Sequence, residues 1–153
     1  MRDKYFNTQE GDPASLRIII KRKVRFEEID ALGIVWHGRY SSFFEDARSA
    51  LGDKYGVGYL DFYNQGIMAP IKIFHVDYHR PLSFQEEFTI EGILHWSEVA
   101  RINYEYIIRD KEELVTTTGY TVQMMVDKNN DLLMVAPQFY MEFCDRWKTG
   151  QLK

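Results

Sequence analysis

The stretch DALGIVWHGRY at residues 30–40, with SSFFEDARSAL behind it at residues 41–51, decides the fold of this chain. In the first segment a carboxylate, an imidazole and a phenol surround a glycine, a pattern that predicts a tight turn just ahead of a helix. In the second segment apolar residues recur at helical spacing and predict one buried stripe. We therefore expect a polar loop held at the start of a helix that packs on a core.

Strand patterns lie on both sides of this segment. Stretches with apolar residues at every second position predict strands at residues 16–26, 71–78, 87–95, 100–109 and 114–126. Short turns link the last three, which predicts an antiparallel meander. Because the helix stripe needs a sheet face to cover it, the sequence predicts an α+β fold, with a curved antiparallel sheet of five or six strands wrapped around one central helix.

Length and composition restrict the class of protein. The chain has 153 residues, enough for one domain, which we place at residues 16–148 behind a flexible N-terminal arm at residues 1–15. A net charge of −4 argues against general binding of nucleic acid. The chain has one cysteine, Cys144, and no apolar run long enough for membrane insertion, so we expect a cytoplasmic protein.

The loop leaves two roles open for Asp30. An aspartate beside a glycine is often only a turn former, whose side chain binds its own backbone. Here Asp30 is accompanied by His37, and the apolar residues Ile34, Val35 and Trp36 between them could shield a small polar site from water.

The segment from residue 24 to residue 51 resembles the 4-hydroxybenzoyl-CoA thioesterase family of hotdog-fold proteins. That family's pattern runs Asp, two residues, Gly, apolar residues, His or Tyr, and a final Tyr. The matching positions here are Asp30, Gly33, Ile34, Val35, His37 and Tyr40. The resemblance continues into residues 43–48, at the start of the family's central helix, and into residues 78–82, so that it covers about residues 17–127.

The resemblance implies an acyl-CoA thioesterase with a single hotdog domain, which hydrolyses the thioester to a carboxylic acid and free coenzyme A. It implies that Asp30 is the catalytic nucleophile or general base, and that the backbone amide of His37 stabilises the oxyanion. Both routes need an ionised Asp30. No metal and no cofactor are implied, since coenzyme A enters as part of the substrate.

The same resemblance suggests further contacts and partners. The candidate substrate-binding residues are Gly33, Val35, Trp36, Gly38, Tyr40, Glu45 and Arg80. An acyl carrier protein is a further candidate partner. We also expect a homodimer or homotetramer, because proteins of this fold dimerise through their sheets and often form tetramers.

Some of these residues have other interpretations. Tyr40 could line the pocket or anchor the helix by packing. Glu45 lies on the central helix, where some hotdog thioesterases place a catalytic carboxylate, but with Ser42 it also matches a capping box. Arg80 could meet the phosphates of coenzyme A or lie solvated. His75, Asp77 and His79 alternate as the ligands of a metal site would.

Two alternative functions remain open from the sequence alone. The chain could be a non-catalytic module that binds acyl-CoA or an acyl carrier protein and hydrolyses neither. It could also be a hotdog dehydratase, although the pattern at residues 30–40 does not resemble that of those enzymes.

Overall fold

The computed structural model describes residues 5–152; the first four residues of the predicted arm and residue 153 lie outside the described part. The regular elements are β1 (Leu16–Lys23), α1 (Tyr40–Tyr55), α2 (Tyr59–Asn64), β2 (Ile71–Tyr78), β3 (Glu87–His95), β4 (Arg101–Asp110), β5 (Val115–Met124) and α3 (Gln138–Lys148). Two short 3-10 turns precede α1, at Phe26–Glu28 and His37–Arg39.

The five strands form one antiparallel sheet in the order β1-β3-β4-β5-β2. The predicted meander of the last three strands is confirmed. Its register places Ile90 opposite Ile108 and Tyr106 opposite Gly119, so the apolar positions of neighbouring strands fall on the same face. The α+β class and the antiparallel sheet with a long helix are therefore confirmed.

Helix α1 covers the inner face of this sheet. The ring of Phe44 stacks on that of Tyr106 with a centroid distance of 4.4 Å. Gly119 permits this approach, because a Cβ there would lie 2.6 Å from the Phe44 ring. The apolar stripe predicted from residues 43–51 is thus the buried face of the helix.

Two predicted boundaries are wrong. Helix α1 begins at Tyr40, with Arg39 as its N-cap, so Ser42 lies inside the helix and the predicted capping box with Glu45 does not form. The first strand ends at Lys23 rather than residue 26, because the chain turns there and the Arg25 amide donates to Glu28 Oε2 at 2.9 Å. Helix α1 ends at Gly56, which adopts a φ of +74° at the C-cap.

The N-terminal segment crosses the outer face of the sheet. The Tyr5 hydroxyl donates to Asp77 Oδ2 at 2.6 Å, and the Phe6 ring lies 5.0 Å from that of His95. Near its other end, Ala14 accepts a hydrogen bond from the Trp147 indole at 2.8 Å. The described part of the predicted arm is therefore docked on the sheet.

Strand β2 is an edge strand with an apolar surface. It pairs with β5 on one side, and along its length Ile71, Ile73, Phe74 and Tyr78 are each 43–52% exposed. An open apolar edge of this kind is suited to pairing with another strand. None of the helices between residues 5 and 152 has the length and apolar character needed to cross a membrane.

Candidate active site

Asp30 lies at the end of a short hairpin. Its amide donates to Ile34 O at 2.9 Å, and the Gly33 amide donates to Asp30 O at 3.0 Å, which closes the turn. Gly33 has a φ of +77°, a backbone conformation that favours glycine. The side-chain oxygen Oδ1 accepts the Leu32 amide at 2.8 Å, so Asp30 does form the turn expected of an aspartate in this position.

The second carboxylate oxygen of Asp30 remains available. Between residues 5 and 152 no donor to Oδ2 is found, Asp30 makes no ion pair, and the residue is half-buried. The acidic residues just before it are engaged elsewhere, because Glu28 pairs with Arg22 and Glu27 lies 3.7 Å from Arg25. The turn therefore holds Asp30 in place through one oxygen and leaves the other for chemistry.

The amides of His37 and Gly38 form a pair of free donors. Neither finds an acceptor in the described part of the chain. Both peptide planes are nevertheless held, because Trp36 O accepts the Arg39 amide at 2.9 Å and His37 O accepts the Tyr78 hydroxyl at 2.7 Å. In a trans peptide the N–H points away from the C=O. Fixing the two carbonyls therefore fixes the direction of both amides.

The amide pair marks the start of a helix. The 3-10 turn at His37–Arg39 runs directly into α1, and unpartnered N–H groups at such a position favour developing negative charge. Burial raises the pKa of Tyr78, so its hydroxyl remains a protonated donor to His37 O.

Asp30 and the amide pair lie near each other without touching. The ladder pairs Ile29 with Val35, and the Trp36 amide donates to Glu28 O at 2.9 Å. The hairpin therefore leads the chain from Asp30 directly back to the turn that carries the amide pair.

Trp36 and Gly38 are linked by packing. A Cβ at Gly38 would lie 2.4 Å from the Trp36 ring, so only glycine lets the indole lie over this backbone. Trp36 is exposed, and so is Leu32 in the same loop. Phe84, whose amide donates to Gly33 O at 3.2 Å, is exposed as well. The loop therefore carries an apolar surface around its polar groups.

Two candidate residues of the loop are part of the core. Val35 and Tyr40 are buried, and the Tyr40 ring packs edge-on against those of Phe43 and Tyr78 at centroid distances of 5.5 and 5.1 Å. The structure thus favours Tyr40 as an anchor of the helix, and burial raises the pKa of its phenol.

Glu45 and Arg80 lie in different surroundings. Glu45 accepts a hydrogen bond from the Tyr59 hydroxyl at 3.2 Å and lines a cavity of about 510 Å³. Arg80 is exposed at the end of β2, and its amide donates to Thr116 O at 2.9 Å. Its predicted contact with phosphate stays a prediction.

The three alternating residues at the end of β2 and just beyond it, His75, Asp77 and His79, contact protein groups. His75 Nε2 lies 2.9 Å from Asp77 Oδ2, and His79 Nε2 lies 3.0 Å from Thr118 Oγ1. Over residues 5–152, no three His, Cys, Asp or Glu side chains are grouped to hold a metal ion. Burial raises the pKa of the Cys144 thiol to about 11, which disfavours the thiolate.

Sequence reasoning assigned no role to Tyr78, Arg48 or Tyr59. Tyr78 belongs to a matching segment, but its bond to His37 joins residues 41 positions apart, and no local pattern reports it. Arg48 appeared only as a helix residue, whereas the structure buries it beneath the ring of Tyr59, with its guanidinium carbon 3.3 Å from the ring centroid.

Comparison with known proteins supports the predicted family. Residues 24–144 match the model of the thioesterase-like superfamily. The chain is 27% identical over 131 residues to a protein of Bacillus subtilis (strain 168) that bears the name of an acyl-CoA thioesterase, covering 86% of this chain and 92% of that one.

Solved structures share the fold. A DHNA-CoA thioesterase from Staphylococcus aureus is 24% identical with a TM-score of 0.77, over 88% of this chain and 91% of that one. The protein SAV2348 from the same organism, solved in complex with CoA, is 14% identical with a TM-score of 0.76, over 94% of this chain and 89% of that one. These likenesses confirm the predicted hotdog fold.

Proposed function

Because the chain belongs to the thioesterase-like superfamily, a family of thioester hydrolases, we propose that it hydrolyses acyl-CoA to a carboxylic acid and free coenzyme A. The observation that carries this proposal is the pair of free amides at His37 and Gly38, held beside a turn with a half-buried aspartate. A thioester needs an oxyanion stabiliser and a carboxylate that attacks or activates water, and this loop supports both roles.

In the proposed reaction, the amides of His37 and Gly38 donate to the thioester oxygen. As the carbonyl carbon becomes tetrahedral, that oxygen takes on negative charge, and two preorganised N–H groups stabilise it more than they stabilise the ground state. The Tyr78 hydroxyl supports this step indirectly, since it holds the His37 carbonyl and thus the Gly38 amide. Gly38 adds a second donor to the one expected from the sequence.

Asp30 acts through its free oxygen by one of two routes. As a general base it takes a proton from a water molecule, whose oxygen attacks the carbonyl carbon; the carbon–sulfur bond then breaks, and the thiolate of coenzyme A leaves and is protonated. As a nucleophile it attacks the carbon directly and forms a mixed anhydride, which water hydrolyses. Both routes need the ionised carboxylate.

The substrate's coenzyme A portion lies outside the loop in this proposal. Arg80 is exposed beyond Tyr78, at a position from which a guanidinium could meet a phosphate. The exposed ring of Trp36 offers an apolar surface next to the amide pair. An acyl carrier protein as partner, a cytoplasmic location and independence from metals stay predictions.

We also propose that the chain forms a dimer through β2. A two-fold axis perpendicular to the sheet would pair β2 with its copy antiparallel and leave both α1 helices on the same face. This pairing would cover the exposed side chains of β2 and bring Tyr78 of one chain beside Ile71 of the other. Light scattering should give twice the chain mass of 18.2 kDa; a monomer at micromolar concentration would contradict this arrangement.

The test of the function is Asp30→Asn, which keeps the size of the side chain and removes its charge. Thiol release from a panel of acyl-CoA esters should fall by about 100-fold or more, the usual contribution of a positioned acid or base. The matched control is Glu27→Gln, an exposed carboxylate three residues earlier, which should retain full activity. Thermal midpoints show that both variants are folded.

The outcomes separate enzyme from binding module. Asp30→Asn with unchanged turnover would remove Asp30 from the mechanism. Tight binding of acyl-CoA by the native protein with no thiol release across all chain lengths would favour the binding module, and an enoyl product would favour the dehydratase.

A further inference from the structure

A first cavity lies at the start of α1, the helix that follows the amide pair in the chain. It occupies about 510 Å³ between the first turns of α1 and strand β2, with Ser41, Glu45 and Phe74 among its walls and Tyr106 on the sheet beneath. Ser41 follows Gly38 by three residues. An acyl group whose thioester is held by the His37 and Gly38 amides can therefore extend into this cavity.

A second cavity lies further along the same side of the molecule. It occupies about 450 Å³ between α2 and the segment that leads into β2, and its lining is almost entirely apolar, including Tyr59, Tyr63, Met68 and Pro70. Pro70 is the direct neighbour of Ile71, which lines the first cavity. The two cavities thus lie next to each other.

Four side chains form a wall between them. The Tyr59 hydroxyl donates to Glu45 Oε2 at 3.2 Å and thereby joins the rims of the two cavities. The guanidinium carbon of Arg48 lies 3.3 Å from the Tyr59 ring centroid, and Arg48 Nε donates to Gln123 Oε1 at 3.1 Å. Gln123 in turn donates to the carbonyl of Ala69, a residue of the second cavity.

The wall depends on the ring of Tyr59. Arg48 is only 2% exposed, and its Nη1 is buried without a hydrogen-bond partner in the described part of the chain. A buried guanidinium with an unpaired nitrogen is unfavourable unless a neighbouring group compensates its charge, and the face of an aromatic ring does so. Tyr59 is itself 45% exposed, so its ring is a cover on the surface rather than part of the core.

From this arrangement we propose that Tyr59 is a specificity residue, which sets the length of the acyl group that the enzyme accepts. The proposal rests on the thioesterase function given above. From Ser41 to Arg48 is seven residues of helix, about 10 Å, which is the length available before an acyl group meets the wall. Acyl groups that fit this length are substrates, and longer alkyl chains are excluded because they would have to displace the ring and contact the guanidinium.

The experiment compares chain-length profiles. Hydrolysis of butyryl-, octanoyl- and palmitoyl-CoA is measured for the native protein and for Tyr59→Ala, which removes the ring and connects the cavities. The native kcat/KM should fall steeply beyond the medium chain length. In Tyr59→Ala it should continue to rise, by about fourfold for each methylene buried beyond the wall, the factor that corresponds to ~0.8 kcal/mol per methylene.

Two variants serve as matched controls. Tyr59→Phe keeps the ring over Arg48 and loses only the bond to Glu45, so its profile should stay native. Tyr63→Ala removes a tyrosine from the same helix and the same cavity, one that forms neither a hydrogen bond nor a ring contact with the wall among residues 5–152, and its profile should also stay native. Thermal midpoints of all three variants show whether α2 remains folded.

The results distinguish this proposal from the function on which it rests. If the native protein releases no thiol from any ester, the thioesterase function fails. If it is active but Tyr59→Ala has the native profile, or if Tyr59→Phe or Tyr63→Ala moves the profile equally far, the assignment of Tyr59 is overturned while the function stands.

Discussion

The loop at residues 28–40 and the middle of α1 are close in sequence, but they are held in place by different forces. In α1, Phe44 and Ala47 are almost fully buried, and the helix is positioned by packing against the sheet. In the loop, backbone hydrogen bonds fix the chain, while two amides and one carboxylate oxygen have no partner among residues 5–152. Packing in α1 therefore stabilises the fold, while the loop carries the groups for chemistry. Substitutions in α1 should lower stability, and substitutions in the loop should lower activity.

The largest effect is expected in the packed region. Phe44→Ala removes the ring that stacks on Tyr106, and the resulting cavity should lower the free energy of unfolding by about 3–5 kcal/mol. Urea denaturation measures this change. Leu60→Ala, at an exposed position of α2, should alter it by no more than about 0.5 kcal/mol. Equal losses in the two variants would show that α1 is not held by this packing.

A smaller effect, on activity, is expected at the edge of the loop. Tyr78→Phe deletes the bond to His37 O and lets the peptide that carries the Gly38 amide rotate. We expect kcat to fall by about tenfold, the equivalent of one hydrogen bond, with KM and the thermal midpoint nearly unchanged. Steady-state kinetics measure it, with Tyr63→Phe as the control. A native kcat would mean that the Gly38 amide needs no support from Tyr78.

The smallest effect concerns pH and lies outside both regions. Burial raises the pKa of Glu91, but hydrogen bonds and charge from Arg109 and Arg17 outweigh it and leave the pKa below its usual 4.5. A carboxyl with a lowered folded-state pKa stabilises the fold above about pH 4.5, and that contribution is lost as the pH falls through the folded-state pKa.

Glu91→Gln therefore should have a lower thermal midpoint than the native protein at neutral pH, and the difference should shrink on acidification. The pH dependence of thiol release should be the same in both proteins, because Glu91 lies on the outer face of the sheet. A midpoint difference that grows in acid would contradict the assigned sign.

The packed region was largely predictable from the sequence. Alternation placed β2 and β3 at the residues where the structure has them, because successive side chains of a strand point to opposite faces of the sheet. The capping box at Ser42 was wrong, because the helix starts earlier, at Tyr40, directly after the 3-10 turn at His37–Arg39, and no apolar pattern marks that turn.

The site was predictable only in part. The turn at Asp30 follows from its own residues, and the amide at His37 came from a family resemblance. Gly38 as a second donor depends on the distant Tyr78, and the wall at Arg48 depends on α2, which meets α1 only after the chain has folded. Contacts between residues far apart in sequence produce no periodic pattern of apolar residues. The bond from Tyr78 and the contact of Arg48 with Tyr59 could therefore be found only in the structure.

The most direct test of the central claim is a crystal structure with an acyl-CoA analogue in which a ketone replaces the thioester. We predict that the ketone oxygen lies within about 2.7–3.2 Å of both the His37 and the Gly38 nitrogen, with the free oxygen of Asp30 facing the carbonyl carbon directly or through one water. A ketone oxygen bound away from these two amides would contradict the account.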